Sequence, residues 1–592
     1  MKKLKYLIVT VSAFVCVSCT TKAYNDGYIT YEPAKLSEEE RQFVAQSIEG
    51  LDKRYDPAGQ MLTENISGWN YHRDATSGVF HVVRSSFGYA ESLMDAGTEQ
   101  SRQRAFDILE KTISLQDVNP DSKSCGVWPY YEEEPLSTKK SPIDYNWADF
   151  NAVSLLKIYM GHKDEIPADL LHKIENALIL AAGAIQKRNV DPSYTNIAIM
   201  GTFVTYVTAY LFDVPEMKAY AHARLKNFYS YTLDKNGFTE YNSPTYTIVS
   251  LNELELMKRH IVETEAKKMI DYLYTLSWEI IARHFHKPSA QWAGPHSRAY
   301  NSLVSPSFYT LLNRASDGKI DVLGNGPVSK DINANHQIPV HLFPYFLTPE
   351  YPRTEIDVFE NKVPQTTGTC YLTDRFALGT VNRGSLWNQR RPFLAHWGTP
   401  EKPSYLQVRF LHELYDLSAA TYFSTQKEQS VLSAINFITD GGDKHINIDI
   451  LEDGKFMARD LRLRFEFGNI DVDKLALPAQ IDAPVSFVID GLHFNICLFH
   501  SVFGKFKGFW EKGGDDKIAW LDYVVYTGEE TEIDLMTIGH AALGFSFCLS
   551  PVGENCQLTP VKLAVNDGIM TAEWNGMQLN IPVKPDKNPG NI

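Results

Sequence analysis

The chain has 592 residues, of which 44 % are hydrophobic and 22 % charged, and its formal charge at neutral pH is −15. That balance excludes a general nucleic-acid binder, which would present a basic face, and means that any anionic ligand must be met by locally gathered cations. On a scale of ~100–200 residues per domain the length calls for two large domains or three small ones, each able to bury a core.

Lys2, Lys3 and Lys5 precede an apolar run, 6–17, that is too short to span a bilayer and has the form of a secretory leader. Its ending, Val17-Ser18-Cys19, resembles a bacterial lipobox, which implies cleavage before Cys19 and lipidation there; ordinary cleavage at a nearby small residue is the alternative. The expected product is an exported lipoprotein, periplasmic or held at the outer membrane or cell surface, with the membrane as a partner through its anchor. Loss of the three leader lysines takes the formal charge from −15 to −18. Cys125, Cys370, Cys497, Cys548 and Cys556 follow without a CxxC pair, which argues against a zinc site; Cys548 and Cys556 are the nearest pair for a disulfide.

From about 36 to 314 apolar residues recur at three and four positions, as in Leu170, Leu171, Ile174, Ala177, Leu178 and Ala181. This periodicity predicts amphipathic helices over 38–51, 79–96, 102–115, 147–160, 167–187, 197–211, 215–232, 249–262 and 266–284. Successive helix pairs that must each bury one face against their neighbours suggest hairpins arranged in a ring. Beyond about 317 the pattern changes to short alternating runs such as 445–451 and 461–467, punctuated by Gly-Gly-Asp and Asp-Gly turns, which reads as antiparallel sheet. The expected architecture is therefore α+β and multidomain: a leader over 1–19, a helical ring over 20–330, and an antiparallel β-sandwich over 331–592.

Two loops within the helical half are richer in chemistry than turns require. Residues 237–246, GFTEYNSPTY, supply Glu240, Tyr241, Asn242 and Tyr246 around Pro244, and residues 291–301, QWAGPHSRAYN, supply Trp292, His296, Arg298 and Tyr300 around Pro295. Helix stopping and capping would account for the prolines, Asn242 and Ser243, but not for the phenols and the guanidinium. Residues 69–78 and 142–151 add Trp69, His72, Arg73, Tyr145 and Trp147, and residues 386–393 add Trp387, Asn388, Arg390 and Arg391, as stacking faces and donors of a sugar groove.

With these residues the chain resembles the α/α-toroid polysaccharide lyases of the heparinase II/III type. A loop of Gly, then Glu, then Ser-Pro-x-Tyr carries their catalytic tyrosine, and the matching positions are Gly237, Glu240, Ser243, Pro244 and Tyr246. The resemblance implies an N-terminal (α/α) toroid, a C-terminal antiparallel β-sandwich and an acidic polysaccharide as partner. It assigns Tyr246 to proton transfer and gives Asn196, in the segment YTNIAIMG, a place at the uronate carboxyl. Several of these lyases carry a histidine before the glutamate, where this chain has Phe238 and Thr239. His296 is the candidate to restore the imidazole; otherwise Tyr246 serves as both base and acid.

The chemistry wanted is β-elimination from a 4-linked uronic acid. Removing the hydrogen at C5 requires the neighbouring carboxylate to be neutralised, a task suited to Asn196, Asn242 and Arg298, together with a base at C5 and an acid at the leaving O4. The expectation is a lyase with Tyr246, His296, Arg298 and Asn196 as catalytic residues. Asn242, Glu240, Tyr241, Tyr300, Trp292, His72, Arg73, Trp147 and Arg390 are expected to bind substrate. Glucuronate of branched plant glycans, as for rhamnosyl-glucuronate lyases, is preferred over sulfated glycosaminoglycans, since no Lys/Arg cluster suited to several sulfates stands around the loops. No redox or nucleotide cofactor and no metal is expected; a structural calcium would leave little sequence trace. Two other readings use the same residues: an α/α-barrel glycoside hydrolase drawing two carboxylates from Asp74, Asp144, Asp149 and Glu240, and a non-catalytic surface glycan-binding lipoprotein.

Overall fold

The computed structural model describes residues 27–30, 36–68, 70, 72–324, 326, 335–360, 364–442, 451–554 and 559–587. The leader with Cys19, the aromatics Trp69 and Tyr71, Cys556 and all but the last residue of the alternating run 445–451 lie outside them. No helix among the described residues is long and apolar enough to cross a membrane.

The helical half begins with α1 (Glu38–Ser47) and α2 (Glu49–Asp52), and a small three-stranded meander, 55–81, separates them from the main array. Eight helices follow: α3 (Val83–Ala96), α4 (Glu99–Ser114), α5 (Asn146–His162), α6 (Ala168–Arg188), α7 (Thr195–Leu211), α8 (Pro215–Lys235), α9 (Tyr246–His260) and α10 (Thr264–His284). Consecutive helices pair as hairpins; α3, α5, α7 and α9 pack side by side as an inner row, backed by α4, α6, α8 and α10. This is the (α/α) toroid. The inner position explains α7, in which every residue from Thr195 to Leu211 is buried, because a helix covered on all sides has no wet face to keep polar. Two shorter helices, α11 (Pro306–Ala315) and α12 (Phe343–Leu347), complete this half.

The second half is an antiparallel sandwich. Among the described residues one sheet has nine strands and faces a six-stranded sheet, with a three-stranded sheet near the C-terminus. Edge-to-face pairs join the two layers: Phe393 meets Phe547 at 5.0 Å, and Phe465 meets Phe545 at 5.1 Å. Cys548 is disulfide-bonded, whereas Cys125, Cys370 and Cys497 are free thiols.

Toroid and sandwich meet through charge. Arg283 at the end of α10 bonds Glu355 (2.9 Å) and Asp357 (2.5 Å) on the edge strand Arg353–Glu360, and Lys235 at the end of α8 reaches Glu360 at 3.2 Å. One side of the resulting cleft is therefore built by helix-joining loops and the other by the sandwich.

Candidate active site

All four inner helices begin at the same end of the toroid. Arg84 of α3 lies over the ring of Phe150 near the start of α5 (3.8 Å), Asn146 Nδ2 donates to Tyr194 Oη just before α7 (3.3 Å), and Asn196 N, in the first turn of α7, donates to Glu240 Oε2 in the loop before α9 (3.1 Å). Helix N-termini carry unpaired N–H groups and the positive end of the macrodipole, so this end of the ring favours anions.

At this end stands Tyr246, the first residue of α9. Its phenol oxygen is 2.8 Å from that of Tyr300 and accepts from Arg298 Nη2 at 3.0 Å. Arg298 is fixed on each edge: Nε donates to Gln389 Oε1 (2.9 Å), Nη1 reaches Glu240 Oε1 (3.4 Å), and its plane lies over the rings of Tyr246 (4.6 Å) and Trp387 (4.9 Å). Burial pushes the Tyr246 phenol well above its ordinary range; Arg298 pulls it down, and the hydrogen bond with Tyr300 raises it further. Glu240 is raised by burial against the pull of Arg298 and the Asn196 amide. Glu240 thus ties the guanidinium to the start of α7, which the spacing of the two loops alone does not reveal.

The two loops are locked together by Asn242. Its Nδ2 donates to Ala293 O (2.9 Å) and Pro295 O (2.8 Å), and its Oδ1 accepts from Trp292 Nε1 (2.5 Å). Asn242 therefore has no donor left for a substrate carboxylate, and Trp292, 1 % exposed, has no face for a sugar. Both expectations are corrected: these residues build the loop bracket. His296 is a further correction in placement. It is 2 % exposed, Nδ1 bonds to Asn242 O at 2.7 Å, and burial drives its imidazole well below its usual range, so it is neutral and supplies no charge to depress Tyr246. Tyr241 stacks on Phe359 (3.8 Å between centroids) instead of offering a free face. Beneath the cis Gly294–Pro295 bond, a Cβ on Gly379 would overlap the Gly294 carbonyl, so glycine lets the sheet approach this loop.

Asn196 is buried, its Oδ1 accepting from Ile197 N (2.8 Å), which leaves Nδ2 as the donor it can offer. Tyr300 is 58 % exposed. His72 lies 3.7 Å from Asp144 and stacks near Tyr130, Trp147 is buried edge-on against Tyr130, and Arg73 is committed to the Ser67 and Gly68 carbonyls. Arg390 donates to Ser385 Oγ at 2.8 Å and lies over Trp387. Sequence reasoning missed Gln389 and the Tyr194–Asn146 pair; burial pushes the Tyr194 phenol up, and the charges of Asp144, Glu240 and Arg298 all act on it.

On the sandwich side a cleft of about 690 Å³ is lined by Lys235, Arg298, Arg383, Arg390 and Lys587 with Glu240, Glu360 and Asp440. Cations from distant stretches of the chain gather here beside three carboxylates, with Lys235 paired to Glu360 and Arg298 to Glu240. The four hydrolytic carboxylates, by contrast, are dispersed among separate tasks: Asp74 accepts from the Lys140 and Ser141 amides, Asp149 is buried inside the ring with its carboxyl raised to about 7 by burial, Asp144 accepts from Asn146 N, and Glu240 holds Arg298.

Residues 41–313 match the family described as Domain of unknown function (DUF8769). No curated protein matches the chain. Among solved structures, the chain is similar to heparinase III (10 % identity, 93 % of this chain and 92 % of that one, TM-score 0.45) and to the chondroitin AC lyase of Streptomyces coelicolor A3 in complex with chondroitin sulphate (10 %, 93 % and 85 %, TM-score 0.46). It is also similar to a mutant of the heparan sulfate lyase HepC from Pedobacter heparinus (10 %, 93 % and 90 %, TM-score 0.35).

Proposed function

We propose that the protein is a polysaccharide lyase that cleaves a uronic-acid-containing glycan by β-elimination, with glucuronate the favoured sugar. The observation that carries this reading is the contact of two phenols and one guanidinium, Tyr246, Tyr300 and Arg298, where the inner helices begin. Arg298, the helix N-termini and Asn196 Nδ2 neutralise the uronate carboxylate and acidify C5–H. One phenol of the pair, as phenolate, takes the C5 proton; the C4–O4 bond breaks as the C4–C5 double bond forms, and the other phenol protonates O4. The hydrogen bond between the two oxygens then returns the proton and resets the pair. A hydrolase would need two carboxylates flanking one bond; Asp74 is taken up by the Lys140 and Ser141 amides and Asp149 is buried inside the ring.

The basic lining of the cleft supports keeping sulfated glycosaminoglycans beside branched glucuronate glycans of the kind cut by rhamnosyl-glucuronate lyases as candidate substrates. The leader and the Val17-Ser18-Cys19 motif support export and lipid anchoring at Cys19. The test is absorbance at the unsaturated-uronate band while wild type and Tyr246→Phe are incubated with a panel of uronate glycans. A rise with wild type alone is the expected result; reducing sugar released without absorbance would overturn elimination.

A further inference from the structure

Tyr300 is largely exposed, so its own side-chain packing does not fix its place; the backbone behind it must. Two residues on, buried Ser302 is a hub. Its Oγ accepts from Arg391 Nε (3.0 Å) and donates to Gln407 Oε1 (3.1 Å), while its carbonyl accepts from His396 Nε2 (2.7 Å). Gln407 Nε2 donates to Glu466 Oε1 (2.5 Å), and Glu466 also accepts from Arg409 Nη1 (2.7 Å), which is forked onto Asp416 at 3.0 and 2.6 Å. Gln407 and Glu466 are register partners on adjacent strands of the nine-stranded sheet, Pro403–His412 and Lys455–Gly468.

Arg391 ties the second loop to the same hub. It is a buried guanidinium whose hydrogen bonds go to Ser302 Oγ and to the Asn388 and Arg390 carbonyls, closing the turn that presents Gln389 to Arg298. His296 and Arg391 exchange backbone hydrogen bonds at 3.0 and 2.9 Å, and Ala299 N donates to Gln389 O at 2.6 Å. A buried polar chain of this kind contributes little net stability over an apolar core of the same volume, so its reason is sought in what it holds still.

We propose that Ser302, Gln407 and Glu466 are positioning residues: they anchor the loop 296–302 to the sandwich and so set Tyr300 and Arg298 against Tyr246. The inference rests on the lyase reading for its consequence in rate, but the anchoring is measurable without it. A reacting group displaced by about 1 Å loses on the order of 10²-fold in rate, so modest slackening at Ser302 is amplified at the phenol pair.

The experiment compares Ser302→Ala, Ser302→Thr and Gln407→Leu in steady-state elimination, with and without Tyr300→Phe. Ser302→Ala and Gln407→Leu are expected to lower kcat about tenfold with KM within about twofold, and Ser302→Thr, which keeps the hydroxyl, to restore most of the loss. In the Tyr300→Phe background Ser302→Ala should cost clearly less than it does in wild type, because one of the two groups it positions is gone while Arg298 remains. An unchanged kcat in folded Ser302→Ala and Gln407→Leu, or full additivity with Tyr300→Phe, overturns the proposal. Amide hydrogen exchange of the same variants separates it from the lyase reading: exchange over 296–302 and 386–391 should quicken about tenfold or more in Ser302→Ala with the inner helices unchanged. If wild type forms no unsaturated product, the lyase reading fails while this exchange result still decides the anchoring; unchanged exchange in the two loops overturns it.

Discussion

The phenol oxygens of Tyr246 and Tyr300, 54 residues apart in the chain, lie 2.8 Å from each other, and Arg298 is within 3.0 Å of the first. If the pair divides base and acid between them, each phenol is needed in the chemical step and neither dominates binding. Tyr246→Phe and Tyr300→Phe should each lower kcat by roughly 10²–10⁴-fold, with substrate affinity changed only a few-fold. Single-turnover absorbance together with calorimetric binding of an intact oligosaccharide checks this. A Tyr300→Phe enzyme with undiminished kcat would return both roles to Tyr246.

Burial holds the Tyr246 phenol above its ordinary range, and although Arg298 opposes this, the net direction is upward. The phenolate required as base is then a minor species at neutral pH and grows about tenfold per pH unit until the pair titrates. The logarithm of kcat/KM should rise with a slope of about one on the alkaline side of neutrality, measured as initial rates in buffers of constant ionic strength. A profile that falls over that interval would mean that the proton acceptor is not a phenol.

Arg298 addresses Gln389, Glu240 and Tyr246 with three different nitrogens while lying flat on Trp387. A lysine keeps the charge and loses the fork. Arg298→Lys is expected to reduce kcat/KM by roughly 10²–10³-fold, the usual scale for losing one preorganised donor, and to leave the thermal midpoint within a few degrees. Steady-state kinetics beside a melting curve distinguish this from a folding defect.

The helices were legible because their apolar positions recur at the helical period; expected 197–211 and 266–284 become Thr195–Leu211 and Thr264–His284. Expected 79–96 is corrected at its start, where Ser77–His81 is a strand paired with Met61–Ser67, since cross-strand partners outweigh local propensity there. Tyr246, Arg298 and Glu240 were legible as reactive types in loops broken by proline. What could not be read was orientation. Asn242 and Trp292 look like cleft residues until the other loop is in place, and it then consumes both. Gln389 reaches Arg298 across 91 residues and Gln407 reaches Ser302 across 105, separations that no periodicity encodes.

Asn242 satisfies two carbonyls and one indole N–H in a buried setting. Each buried partner left unpaired costs about 1–3 kcal/mol, so Asn242→Ala should lower stability by several kcal/mol, read as a shift of the denaturant midpoint. Were Asn242 instead a substrate ligand, the variant would melt normally and show only a raised KM.

Inside the ring, Asp149 and Glu253 are fully buried carboxyls, each raised to about 7 by burial, and Asp149 Oδ1 and Glu253 Oε2 have no hydrogen-bond partner among the described residues. Arg224 and Arg188 pull Asp149 down while Asp144 raises it; Lys157 and Arg84 pull Glu253 down while Glu91 and Asp149 raise it. Unfolded, the two groups titrate near ~4, so between that range and about 7 the folded protein holds protons that the unfolded chain has released. The stability they contribute is therefore complete at acid pH below the unfolded values and is lost as pH rises through the folded ones. Melting temperature measured on the way from about pH 5 to about pH 8 should fall in wild type through this contribution. Asp149→Asn with Glu253→Gln, whose amides do not ionise, should flatten that slope; an unchanged slope in the double variant would mean that both carboxyls already ionise at acid pH in the folded ring.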